Sequence, residues 1–269
     1  MTTITTVTGR PPASADAPRP GIGALRSSAI FLGRSIRHSL RDGEGLVMAI
    51  VLPVMLMLIF TYVFGGAISG EGYLDYVVPG IVLTCAGFGA ASVATSVNHD
   101  ITRGAMRRFR TMPIPAATVL AGHITASVAR NLVATAVVIG VAFVIGFRPT
   151  ASPLDWLGAL AVVMLWIAAI TALFAFVGLV AGSPEAASGY GFGLLFLPYV
   201  SSAFAPIETM PDWLQPVATY QPVNPVVETI RGLLVGGDTA APASIAWCSG
   251  IIALAAVLIT VRFPRAGDR

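Results

Sequence analysis

The sequence contains no lysine; all 16 of its basic residues are arginine. A phosphate-cradling P-loop needs its lysine, so the chain carries no ordinary Walker A site. A Schiff-base lysine is excluded as well. Charge of either sign is scarce, at 11% of residues, against about 25% in an ordinary soluble domain. The net charge of +3 is too small to argue for nucleic acid as a partner. The two cysteines, Cys85 and Cys248, sit inside apolar runs, where packing explains them better than a disulfide or a metal. His38, His99 and His123 do not have metal-ligand spacing. No HExxH, no GxSxG and no paired intramembrane acids are found, so nothing supports a membrane-embedded enzyme. No catalytic residue is assigned.

What is abundant is apolar sequence. Hydrophobic residues make up 55% of the chain. A bilayer core takes about 20 apolar residues as helix. Six stretches qualify, at approximately 46–68, 76–97, 124–147, 156–182, 186–205 and 243–261. Pro53, Pro79 and Pro198 fall inside them, where neighbouring helices can satisfy the freed backbone. Trp156, Tyr73 and Tyr76 at span edges fit interfacial anchors. Residues 1–22, rich in Thr, Ala and Pro, are expected to form a disordered cytoplasmic tail.

The arginines sort by side. Arg10, Arg19, Arg26, Arg34, Arg37 and Arg41 precede the first span. Arg103, Arg107, Arg108 and Arg110 lie between spans two and three, and Arg130 is near the start of span three. Arg262, Arg265 and Arg269 follow span six. With six crossings, all of these share one side, and only Arg148 and Arg231 fall on the other. The positive-inside rule then predicts a multi-pass protein with both termini in the cytoplasm. Arg130 is the one formal charge within the spans, at a depth where snorkelling to the cytoplasmic face and a functional role are both open.

Two flanking segments are patterned. In residues 24–41, Leu25, Ala29, Leu32, Ile36 and Leu40 follow helical spacing while Arg34, Arg37 and Arg41 line another face. This predicts an amphipathic helix in the cytoplasmic interface, or else a plain basic flank. On the opposite side, residues 206–242 predict a helix capped by Asn224 with Pro225 in its first turn, an apolar stripe, and a stop at Gly236 and Gly237. Ten such residues span only about 15 Å. They could dip into the outer leaflet and return, or form a surface loop. A second short helix is expected from Pro211 to Thr219, with Trp213 at the interface.

The stretch DITRGAMRRFRTMPIP, residues 100–115, concentrates four arginines between two spans. As a helix over 101–112 it places Ile101, Ala105, Phe109 and Met112 on one stripe and Arg103, Arg107 and Arg110 on another. Asp100 can cap its start, and Pro113 and Pro115 stop it. An anchor needs only positive charge. A cap, an apolar stripe and a double-proline stop fit a docking surface.

At this point the sequence resembles a family. "GAMRRFRTMPIPAATVLAGH" is similar to the cytoplasmic-loop signature of ABC-2 type transporter permeases, in particular their daunorubicin-resistance branch. The matching residues are Gly104, Arg108-Phe109-Arg110, Pro113 and Leu120-Ala121-Gly122. Arg107 stands where that branch commonly has an acid, and Pro115-Ala116 where a polar or basic residue is common. "MPDWLQPVATYQPVNPVVETIRGLLVGG", residues 210–237, resembles the branch's segment before the last span.

The resemblance implies an all-α membrane protein. Its expected parts are six transmembrane helices over residues 23–269, an N-terminal interfacial helix, a cytoplasmic coupling helix and short re-entrant helices before the last span. It implies a permease without its own ATPase site, pairing with a like or similar permease and with two ATP-binding subunits that hold ATP and Mg. Arg103, Gly104, Arg107, Arg108, Phe109, Arg110 and Pro113 would couple to those subunits. Arg34, Arg37 and Arg41 would contact the same partner, and Pro211, Trp213, Asn224, Pro225, Glu228 and Arg231 would build the re-entrant segment. The implied cargo is a hydrophobic or amphipathic compound, a drug or a lipid. A lipid-linked glycan is the alternative. A secondary transporter would need ionisable groups near the midplane, and the spans offer only Arg130.

Overall fold

A computed structural model describes residues 43–65, 72–102 and 116–266. The described residues are helical with no strand. In chain order the helices are α1 (Gly43–Ile59), α2 (Tyr73–Thr102), α3 (Ala116–Ile145), α4 (Pro153–Val180), α5 (Pro184–Leu194), α6 (Gln215–Tyr220), α7 (Val223–Val235) and α8 (Ala241–Ala266). A π-helical turn, Phe60–Phe64, extends α1. Four helices, α2, α3, α4 and α8, are long and apolar enough to cross a membrane, and Ala49–Phe64 is a shorter apolar helix.

Helix α2 is the hub. At 30 residues it is about 45 Å long, longer than a hydrocarbon core of about 30 Å. It is buried over most of its length and packs against α1, α3, α4, α5 and α7. Small residues let those neighbours approach. A Cβ on Gly80 would lie 2.7 Å from the Ala203 carbonyl oxygen, and one on Gly178 of α4 would lie 2.5 Å from that of Ala94. Around these crossings Ile81, Leu83, Met57, Ile167 and Phe174 fill the core.

Several helices outrun their apolar stretches. Helix α3 begins at Ala116, directly after Pro115, rather than at 124. Helix α2 continues through His99 and Asp100 to Thr102. Asp100 therefore lies in the last turn of α2 and is not the N-cap of a separate helix. Helix α4 begins with a capping box: the Ser152 side chain accepts the Asp155 N–H, and the Asp155 carboxylate accepts the Ser152 N–H at 2.9 Å. The sequence carries that S-x-x-D signal in plain view. Ser183 caps α5 in the same way, through the Ala186 N–H.

The expected fifth span, 186–205, is not one continuous helix. Helix α5 ends at Leu194, and a 3-10 turn, Leu197–Val200, follows. Pro198 has no N–H to give to Leu194, so the α-helical ladder cannot run through this point. Leu195, Phe196 and Tyr199 instead donate to carbonyls three residues back, those of Phe192, Gly193 and Phe196.

Candidate functional site

The segment after the broken helix folds back into the bundle. The first of its two short helices, α6, begins at Gln215 and not at Pro211, because Pro216 supplies no N–H for an earlier start. Pro211 still turns the chain, its carbonyl accepting the Leu214 N–H at 2.8 Å. Trp213 is 75% exposed at this turn, and Val217 and Tyr220 are exposed with it. The second, α7, buries Val223, Val226, Val227, Ile230 and Leu234 against α2, α4 and α8. Gly236 and Gly237 end it at φ +96° and +112°, as the sequence predicts. Pro225 lies in its first turn.

Asn224 does not cap α7; it is inside the helix, which Pro222 precedes without a side-chain cap. Its amide is used otherwise. Oδ1 accepts the Ser202 N–H at 3.1 Å, and Nδ2 donates to Glu228 Oε1 at 2.9 Å. Gln221 Nε2 donates to the carbonyls of Leu197, at 3.1 Å, and Val200. Ser201 Oγ donates to the Pro198 carbonyl at 2.6 Å. The backbone groups freed where α5 stops are thus taken up by Gln221 and Asn224 of the folded-back segment and by Ser201 within the break. A buried group left unpaired would cost about 1–3 kcal/mol.

Arg231 completes this cluster. Its guanidinium carbon lies 3.8 Å from the centroid of the Tyr76 ring. Nε and Nη2 donate to the Tyr76 carbonyl at 3.3 and 3.2 Å, and Nη2 donates to the Ser202 carbonyl at 2.5 Å. Burial pulls the Arg231 pKa below its ordinary value, while Tyr76 and Glu228 work in the opposite direction. Tyr73 stacks near Tyr76, is itself buried, and donates its hydroxyl to the Phe204 carbonyl at 2.7 Å. The two tyrosines are therefore internal ties of this cluster and not outward-facing anchors. Nothing in the local sequence marks Tyr76, Ser202 or Gln221 as partners, since they come from three separate segments.

A second polar seam crosses α2, α3 and α4. Arg130 lies fourteen residues into α3, about 21 Å from its start, and is 7% exposed. It does not snorkel. Nη2 donates to the Gly89 carbonyl at 2.9 Å and to Ser92 Oγ, both on α2. Beside it, Asn131 Nδ2 donates to Ser127 Oγ at 3.2 Å, and Ser127 Oγ lies 3.4 Å from Thr171 Oγ1 of α4. Asn131 occupies the space a Cβ on Gly89 would need, 1.5 Å from its Oδ1. Further along, Asn98 Nδ2 donates to the Gly178 and Ala181 carbonyls at 3.1 and 2.8 Å, closing the C-terminus of α4 from the neighbouring helix.

The other expected site residues, Arg34, Arg37, Arg41, Arg103, Gly104, Arg107, Arg108, Phe109, Arg110 and Pro113, lie outside the described residues. The structure fixes only the ends of the two helices that bracket residues 103–115, Thr102 of α2 and Ala116 of α3.

Comparison with known proteins agrees with this architecture. Residues 28–235 match the ABC-2 type transporter family. The chain is 34% identical over 194 residues, 71% of its length and 69% of the relative's, to "Daunorubicin resistance ABC transporter permease protein DrrB1" of Streptomyces coeruleorubidus. It is 27% identical over 256 residues, 91% of its length and 93% of the relative's, to "Probable doxorubicin resistance ABC transporter permease protein DrrC" of Mycobacterium tuberculosis. With a family match running from before α1 to the end of α7 around this helical core, the chain belongs to the ABC-2 type transporter family.

Proposed function

We propose that the chain is the membrane subunit of an ATP-driven exporter of hydrophobic or amphipathic compounds. The observation that carries this reading is the likeness, over nearly the whole chain, to a permease named for doxorubicin resistance. The basic loop supports it independently. Residues 103–115 are bracketed by two 30-residue helices, α2 and α3, so their charge is tied directly to the bundle. In this reading the chain crosses the plasma membrane six times with both termini inside. Two copies, or this chain and a similar permease, sit on two ATP-binding subunits that hold ATP and Mg. The lysine-free sequence fits a chain that borrows its ATPase.

The guanidinium groups of Arg103, Arg107, Arg108 and Arg110 give fixed charge and forked donors to an acidic partner groove. Phe109 and Gly104 would seat the loop in that groove, and Arg34, Arg37 and Arg41 would extend the same contact. The segment 206–242 acts as a re-entrant plug on the outer side, pinned by Asn224 and Arg231. An outward apolar stripe on α1, Val47, Val51, Met55 and Ile59, suits lipid or a second permease.

The test is export by Phe109→Ala plus Arg110→Ala. The double variant should reach the membrane at the wild-type level but hydrolyse ATP without moving daunorubicin. Equal export at equal expression would count against the coupling role. A labelled glycolipid, run in the same assay, separates the lipid-linked alternative.

A further inference from the structure

We infer that Arg130 is a positioning residue that pins α2 to α3, so that both ends of the basic loop move as one body with α4. The inference rests on the coupling role proposed for that loop. Three observations carry it. The Arg130 guanidinium, nearly buried, is donated across the helix boundary to Gly89 O and Ser92 Oγ. Asn131, the next residue, fills the space left by the missing side chain of Gly89. The seam then continues through Ser127 to Thr171 of α4, while Asn98 of α2 holds the last carbonyls of α4. A charge at this depth is costly in a bilayer, and its cost is offset here by interhelical hydrogen bonds. Those bonds lie on the two helices that continue directly into residues 103–115.

The physical consequence is mechanical. A push on the loop could slide α2 along α3 or carry both together. Sliding would break the Arg130 bonds to Gly89 and Ser92 and drive the Asn131 side chain against the α2 backbone. Packed contacts of this kind switch between discrete arrangements and do not deform smoothly. The pinned pair therefore transmits the push to α4, and α5, which ends at the helix break, lies outside the seam.

Spin labels on Thr102→Cys of α2 and Val144→Cys of α3, both exposed positions, report the relation of the two helices in the purified full chain. Buried Cys85 and Cys248 are replaced by alanine. We expect one narrow distance distribution with arginine or lysine at position 130, and a broadened one in Arg130→Gln. Ser92→Ala, which removes one of the two contacts, should broaden it less and serves if the glutamine variant does not accumulate. With the ATPase subunits bound, Arg130→Gln should lower export per ATP hydrolysed by about fivefold or more, the lower range for coupled sites, with Arg130→Lys restoring it. Equal distributions and equal coupling in wild type and Arg130→Gln would overturn the inference. A wild-type chain that binds no ATPase would contradict the functional reading instead, and the label distances alone would then decide the pin.

Discussion

The guanidinium carbon of Arg231 in α7 lies over the ring of Tyr76 in α2, 3.8 Å from its centroid, and the same group hydrogen-bonds the carbonyl of that tyrosine. One residue of the folded-back segment thus grips the hub helix by ring and backbone together. Arg231→Ala should lower the stability of the detergent-solubilised chain by about 1–3 kcal/mol, from a lost cation–π contact and unpaired carbonyls. Arg231→Lys should recover only part of it, since an ammonium lacks both the planar face over the Tyr76 ring and the second donor, Nε, to the Tyr76 carbonyl. Thermal melting of the three proteins checks the order. A melting temperature for the alanine variant equal to that of wild type would show that the grip adds nothing.

Glycines in the bundle should divide sharply by what surrounds them. Gly178→Ala puts a methyl 2.5 Å from the Ala94 carbonyl oxygen, a backbone atom that cannot step aside. It should separate α2 from α4 and reduce the amount of folded protein. Gly189→Ala in α5 meets nothing within 4 Å. It should leave the single chain as stable or up to about 1 kcal/mol more so, by helix propensity. Fluorescence-detected gel filtration after heating would rank them; the reverse order would contradict the packing described here.

The capping box of α4 makes a smaller claim. Ser152→Ala removes the acceptor for the Asp155 N–H and the hydroxyl donor, at 2.7 Å, to the Asp155 carboxylate. A loss of about 1 kcal/mol is expected, with Ser152→Thr near wild type. Chemical denaturation in mild detergent is the measurement, and no difference between alanine and threonine would remove the cap from the account.

Much of this fold was legible because the bilayer imposes a hydropathy signal that survives in any sequence order. The runs at 76–97, 124–147, 156–182 and 243–261 all became long helices. Their ends were not legible: Asn98 to Thr102 is too polar to register as span, and His123 separates the apolar Ala116 to Gly122 from the run that follows, yet backbone hydrogen bonding carries the helices through both. The break in 186–205 was hidden because Leu194 to Val200 is apolar throughout. Its acceptors are satisfied locally by Ser201 and by Gln221, a partner that only the tertiary fold supplies. Asn224 was singled out correctly as a residue with a hydrogen-bonding task, but the task is Ser202 and Glu228, not its own helix start. For Arg130, snorkelling stood open beside a functional role because its depth was counted from Ile124 and not from Ala116.

Orientation can be tested with single cysteines. Both native cysteines are buried, Cys85 with its thiol on the Ala49 carbonyl, so background labelling should be low. Asp212→Cys, exposed in the folded-back segment, should react with an impermeant maleimide added to intact cells. Thr102→Cys, exposed at the end of α2, should react only after permeabilisation. The opposite pattern would invert the topology and remove the basic loop from the cytoplasm.

The most direct measurement is purification of the tagged chain from its native membrane in gentle detergent, with co-purifying proteins identified and counted by mass spectrometry. The expected result is a P-loop ATPase in one-to-one proportion with the permease chains. A clean preparation without any ATPase, under conditions that preserve known complexes, would contradict it and leave the basic loop as a topological anchor.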